Sequence, residues 1–543
     1  MDLNSIEERF VPTQDGKCAI AQGGMVATAF PTATEAGVQM LSQGGNAVDA
    51  ACAAAFALGV CEPQASGIGG QTMALVYLQG RAFAIDGSSR IPALAHLSAF
   101  EPKDDEIGYR ATTVPSTPAV LGWMQRHYGR LPWKTVLEPA IRIARDGYRI
   151  TLLQQRLQQR EQNSFLQVPS LSGAHYFLKT GKTPYAAGDL FTQPDLSDCL
   201  TTLAAEGPES FYAGKIAHWI DEDMRRHKGF LRKEDLARIP WPTERETIRS
   251  AYREVDILTT PPPTAGRILL MDMKMLRHLD QKYIAAGSPT FMLILAEILR
   301  RGLRERQDHP VSPHQYHPEY DPILTDDAFI AEAYLEVKKN LNHHGESEIE
   351  GAGETTHLSV MDAEGNGVGI TQSVNLVYAS KAAAAGMGFL YNNYLMDTER
   401  YREDHPHYLR PGGSPRSTVT PVIVLHRGQP WLIAGSPGSE RIISAVLQFL
   451  IGILDAGHSM DDAMKAPRMH CSIEGMISLE AERFPADLVR FFEKRGYAVH
   501  CCEPYAFYLG AIHAVLKRQT GLGFQGVAEI RRDGTAAGPN TSS

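Results

Sequence analysis

The sequence predicts a mixed α/β (α+β) protein, and three features carry that prediction. His357 to Asp362 and Gly367 to Val374 are β-branched runs with partial alternation, joined by Ala363-Glu364-Gly365-Asn366, which supplies the Gly and Asn of a tight turn. Between Ala33 and Val60, small and apolar residues recur at helical spacing, with Gly44-Gly45 as punctuation. Val422 to His426 and Trp431 to Ala434 form a second strand pair, and a glycine turn leads from it into an apolar helix beginning at Arg441.

The remaining elements follow in order. Gly44-Gly45 ends a helix over Ala33 to Leu41, and Asn46 or a neighbour caps a second, Ala-rich helix to about Val60, whose small residues imply close packing. Ser66-Gly67-Ile68-Gly69-Gly70 lacks both the spacing and the Lys of a phosphate loop, so it reads as a tight turn into a strand over Thr72 to Leu78. Phe83 to Asp86 is another strand, followed by a loop carrying Arg90, a residue type able to hold a carboxylate bidentately. Amphipathic helices dominate from about residue 114 to residue 240. Arg253 to Leu258 is strand-like, Pro261-Pro262-Pro263 breaks the chain, and helices follow over Ile268 to Leu279 and Phe291 to Arg306. His309 to Glu350 is rich in His, Pro and acids, and reads as an accessible polar linker ending at Glu354, so that a cut there would lose no core contact.

Composition narrows the function. The 543 residues suffice for roughly two to four domains, or for one large layered enzyme. A net charge of -9 argues against general binding of nucleic acid or anionic membranes, so an acidic ligand needs a local basic site. The N-terminus offers neither the basic start nor the apolar core of a signal peptide. Ala50 to Val60 and Ile442 to Leu454 fall short of the roughly 18 to 20 residues of a membrane span and read as buried helices. Seven scattered cysteines without a CxxC pair suggest reduced thiols, so a cytoplasmic protein is expected, with no metal and no cofactor.

Thr355 heads the first strand of the hairpin. If the chain is cut before it, its freed α-amine, with a pKa of about 8, sits beside its own Oγ and can activate it as a nucleophile. The turn Gly435-Ser436-Pro437-Gly438-Ser439-Glu440 supplies what an oxyanion hole needs, unpaired backbone N–H groups at a helix start. No GxSxG elbow occurs, which removes the chief support for an α/β-type serine hydrolase.

Seven motifs in one order resemble the γ-glutamyltranspeptidase family of self-processing N-terminal-nucleophile hydrolases: GGNAVDAA at 44–51, SGIGG at 66–70, YGRLPW at 128–133, PPPTAG at 261–266, TTHLSVMDAEGN at 355–366, SPRSTVTP at 414–421 and GSPGSERII at 435–443. The resemblance implies a four-layer αββα sandwich. It further implies a proenzyme cut between Glu354 and Thr355, giving a large subunit of residues 1–354 and a small one of residues 355–543 that together form one domain. By the same resemblance Thr355 is the nucleophile, Ser373 hydrogen-bonds it, and Gly438 and Ser439 form the oxyanion hole. Asn375 contacts a substrate amino group, and Ser417 and Thr418 contact a substrate carboxylate.

Three departures bear on substrate. The family's carboxylate-binding Arg falls at Ser88, with Arg90 displaced by two residues; an amide side chain that holds the glutamyl amino group falls at Tyr394; and Asp397 keeps the acidic partner but follows Met396 instead of an acid. The resemblance therefore implies an amidohydrolase acting on a small-molecule carboxylate amide such as oxamate. The alternatives are a γ-glutamyltransferase or glutathione hydrolase, and an unprocessed homologue serving as a binding protein. Assembly of the processed heterodimer into a homo-oligomer stays open.

Overall fold

A computed structural model describes residues 3–341, apart from 102 and 286, and residues 353–539. Two seven-stranded antiparallel sheets stack face to face between two layers of helices. The first sheet runs Thr535–Ala537, Gly24–Thr28, Gly353–Asp362, Gly367–Leu376, Gln71–Leu78, Arg81–Asp86 and Thr243–Arg245. The second runs Cys18–Ala21, Phe524–Ala528, His513–Lys517, Gln429–Gly435, Val422–His426, Val255–Thr259 and Ile248–Tyr252. Four layers need three cores, and the alternation of strand side chains supplies them. Leu358 and Val360 join Val26, Val368 and Ile370 beneath the helix Ala47–Cys61, whereas Met361 points the other way, onto Ile433 and Val515 between the sheets. The third core sets Val422, Val424 and Leu432 against the helices Gly266–Leu276, Pro289–Asp308 and Arg441–Leu454.

Local rules place the elements that frame the site. Asn46 caps Ala47–Cys61, accepting from the amides of Val48 and Asp49, and Asp49 returns the bond in a capping box. The helix is buried almost throughout, which its alanines permit. A side chain at Gly70 would meet the Ser373 carbonyl at 2.2 Å, so the glycine turn lets the backbone of Gly67–Gly70 press against the 367–376 strand. Cys18, Cys52, Cys61, Cys199 and Cys471 are buried, and no disulfide joins any of the seven cysteines. Among the described residues no helix is long and apolar enough to cross a membrane.

Two expectations need correction. Arg253 does not begin a strand: at φ 54 it turns the chain between Ile248–Tyr252 and Val255–Thr259, because the two strands pair as a tight hairpin. The polar linker is also shorter than expected. Residues 327–339 form a helix, capped by Asp326, that buries Ile330, Ala333, Tyr334 and Val337 along one face against the outer core. That spacing is helical, but the surrounding His, Pro and acidic residues diluted it. Residues 342–352 of the expected linker lie outside the described residues. It does not reach Glu354, because the strand begins at Gly353 and Glu354 is wholly buried.

Candidate active site

Thr355 is the third residue of its strand and lies where the pairing slips. Glu354 stands opposite Asn375, but Thr356 stands opposite Gln372. Such a bulge re-aims side chains. Here Thr355 Oγ donates to Ser373 Oγ at 3.2 Å. Ser373 Oγ donates onward to the Glu354 carbonyl at 2.7 Å and accepts from the Asn375 amide at 2.8 Å. One hydroxyl thus touches both Thr355 Oγ and the carbonyl of the peptide bond preceding Thr355. The Glu354 side chain is anchored on the far side, where Arg532 Nη1 donates to its Oε1 at 2.7 Å. A cut before Thr355 would therefore end the upstream segment on a buried, ion-paired residue, contrary to the expectation of a contact-free end.

The second sheet contributes the amide turn. Gly438, at φ 128, occupies backbone space that side chains rarely adopt, and Ser439 follows at φ 53. Their carbonyls accept from the amides of Arg441 and Ile442 at 3.0 and 3.1 Å, which start the helix, while neither of their own N–H groups donates to any described residue. Two unpaired donors at a helix start can hold an oxyanion. The turn abuts the strand that carries Thr355: a side chain at Gly353 would meet Ser439 Cβ at 2.7 Å.

A cavity of about 420 Å³ opens on Thr355. Ser373, Asn375, Tyr394, Asp397, Ser417, Thr418 and Ser439 all line it, so residues from distant stretches of sequence converge. Gly438 lies just behind Ser439. Asn375, at φ 91, turns its side chain so that Nδ2 donates to the Asn393 carbonyl at 3.2 Å. Burial pushes the Tyr394 phenol up, opposed in part by a hydrogen bond to the Ser373 hydroxyl. Burial likewise raises the Asp397 carboxyl, against Arg416, whose Nε is 3.9 Å away, and against Arg306 and Asn375.

Arg90 is not among the cavity-lining residues. Its Nη1 donates to Ser414 Oγ at 2.6 Å, and the Ser414 carbonyl accepts from His407 Nδ1 at 3.1 Å, so Arg90 stands behind the wall that His407 forms. Ser88 is tied back to Asp86, to whose Oδ1 its Oγ donates at 2.6 Å. The arginines lining the cavity are instead Arg267, Arg306, Arg402, Arg416 and Arg441. Arg306 ends an amphipathic helix, and nothing in that periodicity marked its tip as part of a site.

A four-layer sandwich with a threonine heading an inner strand of one sheet and an amide turn supplied by the other defines an N-terminal-nucleophile hydrolase. The chain belongs to the γ-glutamyltranspeptidase family, whose enzymes act on amide bonds: residues 33–539 match that family. It is 31% identical over 506 residues to the glutathione hydrolase proenzyme of Escherichia coli (strain K12), covering 88% of this chain and 86% of that one. It is 30% identical over 550 residues to the acylase ACY 1 proenzyme of Pseudomonas sp. (strain SE83), covering 96% and 95%. The fold superposes on the crystal structure of cephalosporin acylase from Bacillus halodurans with a TM-score of 0.87, at 26% identity, covering 97% of each chain.

Proposed function

We propose that this protein is a self-processing amidohydrolase that cleaves the amide of a small carboxylate substrate such as oxamate. The observation that carries the substrate reading is the state of the amino-group site. Asp397, the acid expected to hold a glutamyl ammonium, has its carboxyl raised by burial and a guanidinium, Arg416, 3.9 Å away, while a buried phenol, Tyr394, stands where an amide side chain is usual. Such a site favours a substrate without an ammonium group.

The chemistry runs in two stages. In the precursor, Thr355 Oγ adds to the Glu354 carbonyl, the C–N bond breaks as the proton passes to nitrogen, and water hydrolyses the resulting ester. The proenzyme names of the relatives support this stage and the division into residues 1–354 and 355–543. In the mature enzyme the freed amine takes the Thr355 hydroxyl proton as Oγ attacks the substrate carbonyl. The amides of Gly438 and Ser439 hold the oxyanion, ammonia leaves, and water releases the acid.

A second reading, hydrolysis or transfer of γ-glutamyl groups, is favoured by Asn375 and Asp397 lining the cavity together. Ammonia release from oxamate and similar carboxylate amides, compared with turnover of glutathione and γ-glutamyl anilides by processed enzyme, separates the two. A higher kcat/KM for glutathione sinks the small-amide reading.

A further inference from the structure

Arg306 stands in the last turn of the helix Pro289–Asp308, where its side chain reaches the cavity that contains Thr355. On the same helix Arg300 pairs with Glu297 at 3.4 Å and Arg301 with Glu336 at 2.7 Å. Three of the other four cavity arginines have acids close by, Arg416 facing Asp397 at 3.9 Å, Arg402 facing Glu399 at 3.8 Å and Arg267 paired with Asp321 at 2.9 Å, and Arg441 lies over the Tyr508 ring. Arg306 differs. Among the described residues its one hydrogen bond is Nη2 to the Ser417 carbonyl, at 2.9 Å, and it forms no ion pair. Burial and the nearby charge of Arg416 hold its pKa down to about 10, against the pull of Glu440 and Asp397. A half-buried guanidinium with most of its fork unused, facing a cavity, is a cation waiting for an anion.

Its placement says which anion. The carbonyl it holds belongs to Ser417, so the guanidinium lies against the Ser417-Thr418 wall, and the hydroxyls of both residues have no hydrogen-bond acceptor among the described residues. Charged and neutral donors thus converge on one wall of the cavity, while Ser88 and Arg90 are engaged elsewhere. We propose that Arg306 binds the free carboxylate of the substrate, in place of an arginine at position 88 or 90, and that the substrates are amides of dicarboxylic acids with one carboxylate left free. The inference rests on the carboxylate-amide reading above and names the residue that reads the charge.

Binding by the products tests it without relying on turnover. Processed wild type, Arg306→Gln, Arg306→Lys and Arg90→Gln proteins are titrated calorimetrically with oxalate and glutarate, and with butyrate as the matched monocarboxylate. Loss of a charge-assisted, bidentate contact should weaken the dicarboxylates roughly 10- to 100-fold in Arg306→Gln, while butyrate changes little. Arg306→Lys should recover part of the preference, since a point charge cannot reproduce the planar fork. Arg90→Gln should keep the whole of it. Complete self-cleavage and an unchanged Tm in each variant establish that the fold is intact. A dicarboxylate preference surviving in Arg306→Gln, or lost in Arg90→Gln, overturns the assignment to Arg306 and leaves the carboxylate-amide reading standing. A wild type that binds butyrate as tightly as glutarate and oxalate overturns both.

Discussion

Arg532 grips the carboxylate of Glu354, with Nη1 to Oε1 at 2.7 Å, and both side chains are shut away from solvent. The residue before Thr355 is thus held by one that stands beside the edge strand Thr535–Ala537 of the first sheet. Burial raises the Glu354 carboxyl despite the arginine, so the pair is finely balanced. Removing the cation alone strands a buried acid at a cost of about 3 to 5 kcal/mol, whereas removing both charges should be nearly neutral. Denaturant unfolding of Thr355→Ala protein, which keeps the chain in one piece, should therefore rank Arg532→Met well below the parent and Arg532→Met/Glu354→Gln close to it. Equal losses in the single and double variants would mean that the pair carries no such charge imbalance.

Cleavage itself is the simplest prediction. Purified protein should separate on a denaturing gel into fragments starting at Met1 and Thr355, with Thr355→Ala staying whole and inactive and Thr356→Ala retaining both processing and turnover. N-terminal sequencing of the small fragment decides it. An active, uncut wild type would leave the threonine without its base.

Ser373 touches Thr355 Oγ and the Glu354 carbonyl at once. Ser373→Ala should therefore fold but process about 100- to 1,000-fold more slowly, the usual scale for loss of one oriented hydrogen bond in such a site. Timed gels of freshly refolded protein give the rate. Processing at the wild-type rate would move the polarising donor to another group.

At the amide turn, only the backbone of Ser439 is asked to act, and its φ of 53 suits glycine at least as well. Ser439→Gly should keep kcat within a few-fold of wild type. Gly438→Ala forces a side chain onto a φ of 128 and toward Gly510 Cα at 3.2 Å, so it should tilt the amide and lower kcat by about 100-fold. Steady-state kinetics on any accepted amide tests both, and the reverse ranking would place the oxyanion elsewhere.

Glu62 supplies a pH signature. Burial, with the neighbouring Glu354 adding to it and Arg532 opposing it, lifts its carboxyl to about 8 from an ordinary value of 4.5. The folded state then binds a proton that the unfolded chain releases between these two values, so this group's stabilisation is complete below 4.5 and is lost as pH rises to about 8. Wild-type stability should decline across that window, and Glu62→Gln should flatten the decline and be the more stable protein at pH 8. Parallel pH profiles for the two proteins would assign the slope to another group.

The sequence by itself determined the repeating units and the class of reaction. Alternation marked the hairpin at 353–376 and small residues marked the helices at 31–61, because these signals are local and each is written in consecutive residues, and the order of seven short motifs carried the family. The Asp327–Lys339 helix was equally local but lay among His, Pro and acidic residues that masked its period. What only the tertiary structure decided was which distant side chains share a space. Arg90 is two residues from the expected position yet points behind the wall at Ser414, whereas Arg306, more than two hundred residues away, enters the cavity at the tip of a helix from the other half of the sandwich. Likewise Arg532 reaches Glu354 because the strand Thr535–Ala537 joins the same sheet as Gly353–Asp362. Such pairings depend on sheet order and helix docking, and these are fixed by how the three cores close around one another, not by any stretch of chain read alone.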